Sequence, residues 1–181
     1  MHREEALDLV KSKVKNKNLI KHMIATEACM AELAQYFGED KDVWSLAGLL
    51  HDIDYDQTLN DPANHGRIAM TILEPYNLER SILDAILAHP GHIPPKNRLD
   101  WALYSVDPLT GLIVAACLMH PAKKLSALDT DFVLRRFKEK RFAAGANREQ
   151  IMKCQQLGLN LEEFIRLCLN GMQKVSDQLE L

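Results

Sequence analysis

LAGLLHDID, residues 46–54, joins an apolar run to an adjacent histidine–aspartate pair and then to a second aspartate. From Asp42 to about His51 the chain is apolar on almost every side, which predicts a helix at the centre of the fold. Neighbouring helical side chains diverge by about 100°, so His51 and Asp52 can point at one ligand only where the helix ends. Residues 53–63 are rich in Asp and Asn and predict a loop. We therefore expect the pair at the end of a central helix.

Outward from this stretch, apolar residues recur three and four apart almost to the last residue, and alternating β-branched runs are absent. The pattern predicts an all-α fold. Further helices are predicted at about residues 3–15, 18–37, 64–74, 78–88, 99–119, 129–140, 147–157 and 160–178. Gly38 and Gly158 are expected to end helices, and Asn147 and Asn160 are expected to cap helix starts.

The composition suits one compact domain over residues 1–181, because 47% of the residues are hydrophobic. The formal net charge of −3 gives no global basic signal, so no obligate nucleic-acid partner is expected. The four cysteines form no CxxC pair, and the first residues contain no apolar signal core. The longest apolar run, about 109–119, is short for a bilayer span. These features predict a cytoplasmic protein without a membrane partner, and they leave the oligomeric state open.

Five predicted segments each carry a histidine or aspartate on an otherwise apolar face, and Asp52 adds a sixth such residue. The five are His22, His51, His65, His89 and Asp107. A single histidine on an apolar face is more often a hydrogen-bonded core residue than a ligand. Four imidazoles and two carboxylates are hard to satisfy among themselves, however, and each is costly to bury without a partner. Neutral imidazole and ionised carboxylate are the usual ligands of divalent cations, so the set predicts a metal site.

The number of ions depends on Asp52, because a carboxylate can bridge two ions and a histidine cannot. A one-metal site would use His22, the His51-Asp52 pair and Asp107. In a two-metal site His65 and His89 would hold the second ion together with Asp52. His65 is predicted to head a helical stripe with Ile68, Ala69 and Ile72, and His92 can replace or join His89. The ligand types fit Fe, Mn, Zn, Ni, Co or Mg and do not choose among them.

The order His22, His51-Asp52, Asp107 resembles the H…HD…D signature of the HD-domain superfamily of metal-dependent phosphohydrolases. LAGLLHDID resembles the pair segment of its HDIG-type branch. NHGRIAMTIL (64–73), AILAHP (85–90) and ALYSVDPLTGLIVAA (102–116) resemble the segments that carry the later ligands. The resemblance covers about residues 19–120. It implies a compact multi-helix HD-domain bundle, with a helical extension at about 121–181 similar to that of a bacterial HD subfamily.

The resemblance also implies one or two divalent ions and hydrolysis of a phosphate ester, which we expect on a small phosphorylated molecule such as a nucleotide. A bound divalent ion lowers the pKa of its water and so produces a hydroxide nucleophile. Asp52 is expected to be catalytic. Asp54 is expected either to orient or deprotonate that water or to be an exposed loop acid. Asp54 and Tyr55 stand where HDIG-type members usually have Gly-Lys, and no GYP motif is present, which disfavours a cyclic-di-GMP phosphodiesterase.

The segment RRFKEKR, residues 135–141, contains five basic residues and one acidic residue. Arg135, Lys138 and Lys140 are predicted to bind the substrate phosphate, and a solvated basic helix end is the alternative. Two other functions stay open at this point. The same ligands can hold a mixed-valence di-iron centre for oxygen chemistry, as in a few proteins of the fold that the chain resembles. The chain can also be a non-catalytic module that binds a nucleotide or an ion, although its ligand set looks complete.

Overall fold

A computed structural model describes all 181 residues as helices and connecting turns, without a β-strand. The α-helices are Arg3–Lys13 (α1), Lys17–Phe37 (α2), Lys41–Leu50 (α3), Tyr55–Thr58 (α4), Arg67–Leu73 (α5), Arg80–Ala88 (α6), Arg98–Met119 (α7), Thr130–Lys138 (α8), Arg148–Ile151 (α9), Leu161–Lys174 (α10) and Ser176–Leu179 (α11). Stretches of 3-10 helix lie at Pro62–Asn64, Glu74–Tyr76, Leu125–Ala127 and Met152–Leu157. The predicted all-α fold is confirmed.

The helix ends follow the local chemistry of their residues. Gly38 and Gly158 adopt left-handed conformations, with φ of 68° and 78°, and each ends a helix as predicted. The side-chain oxygens of Asn147 and Asn160 accept the backbone N–H three residues further on, at 3.1 and 2.8 Å. These four helix ends could be predicted without tertiary information, because glycine conformation and side-chain capping act within a few residues.

Three predicted boundaries are wrong. Residues 53–63 were expected to be loop, yet they contain α4 and a 3-10 turn. The buried hydroxyl of Thr58 donates to the carbonyl of Asp54 and helps to close the single turn of α4. The helix predicted at 147–157 changes to 3-10 geometry at Met152, and the one predicted at 160–178 is interrupted at Val175.

Helix α2 packs against α3, α7 and α10. Two glycines allow the close approach of α3 and α10 to adjacent residues of α2. A Cβ atom at Gly48 of α3 would lie 2.9 Å from the backbone of Glu27, and one at Gly171 of α10 would lie 2.5 Å from the carbonyl oxygen of Ala28. Real Cβ atoms do not approach backbone so closely, so glycine at position 48 fixes the end of α3 against the middle of α2.

One connected apolar core extends from Ala6 in α1 to Leu179 in α11, and the C-terminal region contributes Phe164 and Met172 to it. Ten polar or charged residues are buried as well. Four of these ten are His51, Asp52, Asp54 and His89. Buried polar groups are therefore concentrated in the segments that carry the predicted ligands.

Helix α7 is long and apolar enough to cross a membrane by length and composition alone. Within its most apolar window, 56% of the residues are buried inside the fold. The helix carries Asp107 and Pro108 at mid-length and packs against α2, α6 and α8. Because the core helix of a folded domain passes the same test, this single helix is weak evidence for a membrane span.

Candidate metal centre

The six residues that were predicted as metal ligands lie in contact with one another. They come from the second turn of α2 (His22), the residues directly after α3 (His51 and Asp52), the turn before α5 (His65), the residue directly after α6 (His89) and the middle of α7 (Asp107). Three of the histidines follow or precede a helix rather than lying inside one. The cluster therefore forms mainly where helix ends meet.

The first half of the cluster consists of His22, His51 and Asp107 with one oxygen of Asp52. The Nε2 atoms of His22 and His51 are 3.1 Å apart. They lie 3.5 and 3.3 Å from Asp52 Oδ2, and 3.2 and 3.8 Å from Asp107 Oδ1. His22, His51 and Asp107 offer ligand atoms close enough together to hold one metal ion.

The second half of the cluster consists of His65 and His89 with the other oxygen of Asp52. Their Nε2 atoms are 3.1 Å apart, and they lie 3.1 and 3.3 Å from Asp52 Oδ1. Asp52 thus presents one carboxylate oxygen to each pair of imidazoles. This arrangement suits a carboxylate that bridges two cations.

Two of the histidines are oriented by the helices that they follow. His51 Nδ1 is 2.8 Å from the carbonyl oxygen of Gly48, and His89 Nδ1 is 2.6 Å from that of Ile86. Both carbonyls belong to the last turn of a helix, where no intrahelical N–H is available to them. Each ring therefore donates its Nδ1 hydrogen to the helix end and turns Nε2 towards Asp52.

The other two histidines are oriented by side chains. The hydroxyl of Thr110 donates to the carbonyl of Asp107 and accepts the Nδ1 hydrogen of His22, at 2.9 Å in both cases. His65 Nδ1 donates to Asp54 Oδ1 at 2.8 Å. Outer partners of this kind fix the tautomer of metal-binding histidines.

All four imidazoles therefore carry hydrogen on Nδ1 and point Nε2 into the cluster. Two Nε2 lone pairs that face each other at 3.1 Å repel unless a positive charge lies between them. Imidazoles that release the Nε2 proton to a metal ion, together with ionised carboxylates, are the donor set of divalent transition metals. The residues present fit one or two such ions.

Asp54 differs from one of its two sequence interpretations. It is fully buried, so it is not an exposed loop acid. Its Oδ1 accepts from His65, and its Oδ2 accepts from the backbone N–H groups of Gly66 and Ala69 at 2.8 and 2.9 Å. Three hydrogen bonds thus hold the carboxylate, which positions His65 and caps the start of α5. Its expected role in orienting or deprotonating a water stays a prediction.

The helical stripe predicted to start at His65 is also wrong. His65 has an extended backbone, with ψ of 135°, and α5 begins only at Arg67. Between them Gly66 has φ of 78°, and a Cβ atom there would lie 3.1 Å from the carbonyl oxygen of Ile86. A glycine turn held against α6, rather than helical periodicity, brings His65 to the cluster.

The electrostatics of the cluster favour positive charge. Burial opposes ionisation of Asp52 and Asp107, but the neighbouring imidazoles outweigh it and lower the pKa of both carboxyls. Burial lowers the pKa of His89. Burial also acts to lower the pKa of His65, but hydrogen bonds to Asp52 and Asp54 outweigh it and raise that pKa to about 9. The ionised carboxylates attract protons or metal ions to the same nitrogen atoms.

The cluster is reached from solvent mainly between α2 and α7. The side chains of His22 and Asp107 are 23% and 29% exposed, whereas His51 and His89 are buried. His22 and Asp107 are thus the most exposed ligands of the cluster, and the side chain of His65 is 16% exposed.

Four further predicted residues lie apart from the cluster. His92 Nε2 is 3.0 Å from the carbonyl oxygen of Pro62, which answers the open question of its direction. The guanidinium of Arg135 lies over the ring of Phe132 in α8. Lys138 and Lys140 are exposed, and no hydrogen bond or ion pair joins them to the cluster. Their role in substrate binding stays a prediction.

The sequence interpretation missed Thr110 and Gly48. Thr110 lies three residues after Asp107, on the same side of α7, and this spacing would have placed its hydroxyl near the first half of the cluster. Gly48 lies three residues before His51 in the apolar run, where a glycine inside a helix is unfavourable without a packing reason.

The chain matches the HD domain family over residues 19–128 and belongs to that family. The family consists generally of metal-dependent hydrolases, which agrees with the histidine–aspartate cluster. The matched range includes all six residues of the cluster. No solved structure matches the chain.

Several curated relatives are named ribonuclease Y. The one from Staphylococcus epidermidis is 29% identical over 136 residues, which cover 74% of this chain and 26% of the relative. The one from Bacillus pumilus is 25% identical over 167 residues, covering 91% of this chain and 32% of the relative. The one from Aliarcobacter butzleri is 31% identical over 94 residues, which cover 52% of this chain and 18% of the relative. The chain thus spans at most about a third of the length of these relatives.

Proposed function

We propose that this protein is a divalent-metal-dependent phosphohydrolase that cleaves the phosphate ester of a small molecule such as a nucleotide. The observation that carries the proposal is the position of Asp52, whose two oxygens face two separate pairs of imidazole nitrogens in a chain of the HD domain family. Ions bound there would polarise a phosphoryl oxygen and lower the pKa of a water to produce a nucleophile near neutral pH.

The residues of the chain have distinct roles in this proposal. His22, His51 and Asp107 would hold a first ion with Asp52 Oδ2, and the second pair of histidines would hold another with Asp52 Oδ1. Asp52 would be a ligand of both ions, and for this reason we propose that it is catalytic. The phosphate would enter on the α2–α7 side, where the cluster is exposed.

Two outer residues would keep the ligands aimed. Thr110 holds the ring of His22, and Asp54 holds the ring of His65. A misplaced ligand weakens metal binding even when the ligand itself is intact, because the cost of reorienting it is added to the binding free energy.

The test is metal analysis of protein purified without chelator, followed by assays against mononucleotides, cyclic nucleotides and nitrophenyl phosphates. We expect one or two equivalents of a divalent metal and turnover of at least one phosphate ester. The His51→Ala variant should lose both the bound metal and the turnover of phosphate esters. His92→Ala is the matched control, because His92 is an exposed histidine outside the cluster, and it should keep both. Full metal occupancy in His51→Ala would contradict the proposal, and oxygen uptake by iron-loaded protein would favour the oxygenase alternative.

RNA is a second candidate substrate, because the relatives reported above are named ribonuclease Y. Hydrolysis of an RNA phosphodiester would need the same metal-activated water. The discriminating measurement is the ratio of kcat/KM for a labelled single-stranded RNA to that for a mononucleotide. A ratio well above one would replace the small-molecule proposal, and a ratio well below one would support it.

A further inference from the structure

A groove of about 410 Å³ adjoins the first half of the metal centre. It lies between α2 and α7 and is closed on one side by residues 179–181. His22 and Thr110 belong both to the groove and to the metal centre. The groove therefore opens directly onto the exposed side of the cluster. Its volume is within the range of about 300–1,000 Å³ that is usual for small-molecule sites.

Gly111 lines this groove. It lies four residues after Asp107 and so on the same side of α7. No atom lies within 4 Å of the position where a Cβ would be. Gly48 and Gly171 are also inside helices, but both are required by close backbone contacts. Glycine is unfavourable inside a helix compared with alanine, so at position 111 the cost has no packing reason and leaves space open beside the metal centre.

The groove is lined by both apolar and polar residues. Ala25 and Gly111 line it without large side chains, and Leu118 provides an apolar side chain that is 52% exposed. Among the polar lining residues, Lys21 Nζ donates to Glu180 Oε2 at 2.7 Å. The face of a heteroaromatic ring would contact the apolar residues, and nitrogen and oxygen atoms at its edge would contact Lys21 and Glu180. An alkyl chain would contact only the apolar residues.

We propose that this groove binds the heteroaromatic ring of a substrate whose phosphate lies at the metal centre, and that Gly111 keeps the groove open. The position of the phosphate rests on the proposed function, but the affinity of the groove for a ring does not. From Asp107 to Leu118, α7 rises about 16 Å at 1.5 Å per residue. This length accommodates a phosphate and a ring in one extended molecule.

The experiment uses metal-loaded protein and two probes, adenosine and adenosine 5′-monophosphate. Adenosine has no phosphate, so its binding tests the groove independently of hydrolysis. We expect adenosine to shift the methyl resonances of Val114, Leu118 and Leu179. Gly111→Leu should weaken the binding of both probes at least tenfold in calorimetry, with the metal content unchanged. Leu118→Ser, at an exposed position, should weaken binding at least threefold and provides a second variant.

Gly145→Leu is the matched control. Gly145 is also exposed, has no positive φ and has no atom within 4 Å of its Cβ position, but it lies outside the groove. Its Kd for adenosine should change less than twofold. Equal binding by wild type and Gly111→Leu would overturn the groove proposal even if the enzyme hydrolyses nucleotides. Loss of adenosine binding in Gly111→Leu would support the groove even if no phosphate ester is hydrolysed. Tighter binding of octyl phosphate than of adenosine monophosphate would show that the occupant is an alkyl chain.

Discussion

The two halves of the metal centre are alike in their ligands but differ in what holds those ligands in place. Each half has one histidine whose Nδ1 donates to the last turn of a helix, and one whose Nδ1 bonds to a side chain. In the first half that side chain is the neutral hydroxyl of Thr110. In the second half it is the carboxylate of Asp54, which also caps α5.

The difference shows two ways of building one site. The first half is carried by α2 and α7, the two longest helices, and by the close approach of Gly48 to α2. Its geometry depends on core packing. The second half is carried by a turn and a short helix. Because core packing does not hold its ligands in place, the buried carboxylate of Asp54 must do so. The first half has the carboxylates of Asp107 and Asp52, whereas the second half has only that of Asp52, so the greater negative charge should bind the first ion more tightly.

Replacing Asp52 should have the largest effect, because Asp52 presents a separate carboxylate oxygen to each half. In Asp52→Ala we expect the loss of both metal equivalents and of phosphohydrolase activity. The loss of metal affinity should exceed the roughly 10–100-fold that removal of an outer partner costs. Metal content and kcat/KM measure this effect, with His92→Ala as the control. Retention of one full equivalent would show that the halves are independent.

Gly48→Ala should have the second-largest effect, because it acts on the packing that supports the first half of the metal centre. The new Cβ would lie 2.9 Å from the backbone of Glu27, so α3 must move away from α2. Overpacking typically costs about 1–3 kcal/mol, and we expect a lower free energy of unfolding in urea and weaker metal binding. Gly111→Ala is the control for stability, because its Cβ meets no atom and alanine favours the helix by about 1 kcal/mol. Equal stability of the two variants would exclude a packing role for Gly48.

Asp54→Asn should weaken the second ion selectively. The carboxylate accepts three hydrogen bonds, and an amide would turn a donor towards one of the three donating N–H groups. We expect a loss of about 10–100-fold in the affinity for the second ion, with the first ion little changed. Calorimetric titration of the metal-free protein resolves the two steps.

Thr110→Val tests the corresponding outer partner in the first half of the metal centre. The change keeps the shape of the side chain and removes the acceptor of the His22 Nδ1 hydrogen. The affinity for the first ion should fall by about tenfold, and the second step of the titration should be preserved. Equal losses in both steps, in either variant, would mean that the two halves respond as one unit.

The smallest effect is expected from Arg135→Ala/Lys138→Ala/Lys140→Ala. None of these side chains is bonded to either half of the centre, and all three are exposed. For a mononucleotide we expect less than a twofold change in KM, whereas a longer RNA that also contacts α8 would show a larger increase. A large increase in KM for the mononucleotide would establish the predicted direct role of these residues in binding the phosphate.

Much of the fold and the composition of the cluster followed from local patterns. Apolar spacing predicted the long helices, and Gly38 and Asn160 marked helix ends, because periodicity and capping act within a few residues. The helical position predicted for His65 was wrong, and so was the exposed position that was one of two interpretations of Asp54. The bonds that place them join residues 11 to 15 apart across a turn, and no periodic pattern describes such contacts.

The sequence by itself determined that the chain is all-α and that it carries histidines and aspartates among apolar residues, where burial without a partner is costly. Only the tertiary structure decided how they meet. It assigned one oxygen of Asp52 to each pair of imidazoles, and it brought Thr110 to His22 from 88 residues away. It also left the space beside Gly111 open. The physical reason is that burial cost belongs to each residue, whereas the direction of a hydrogen bond depends on the backbone that packing places opposite it.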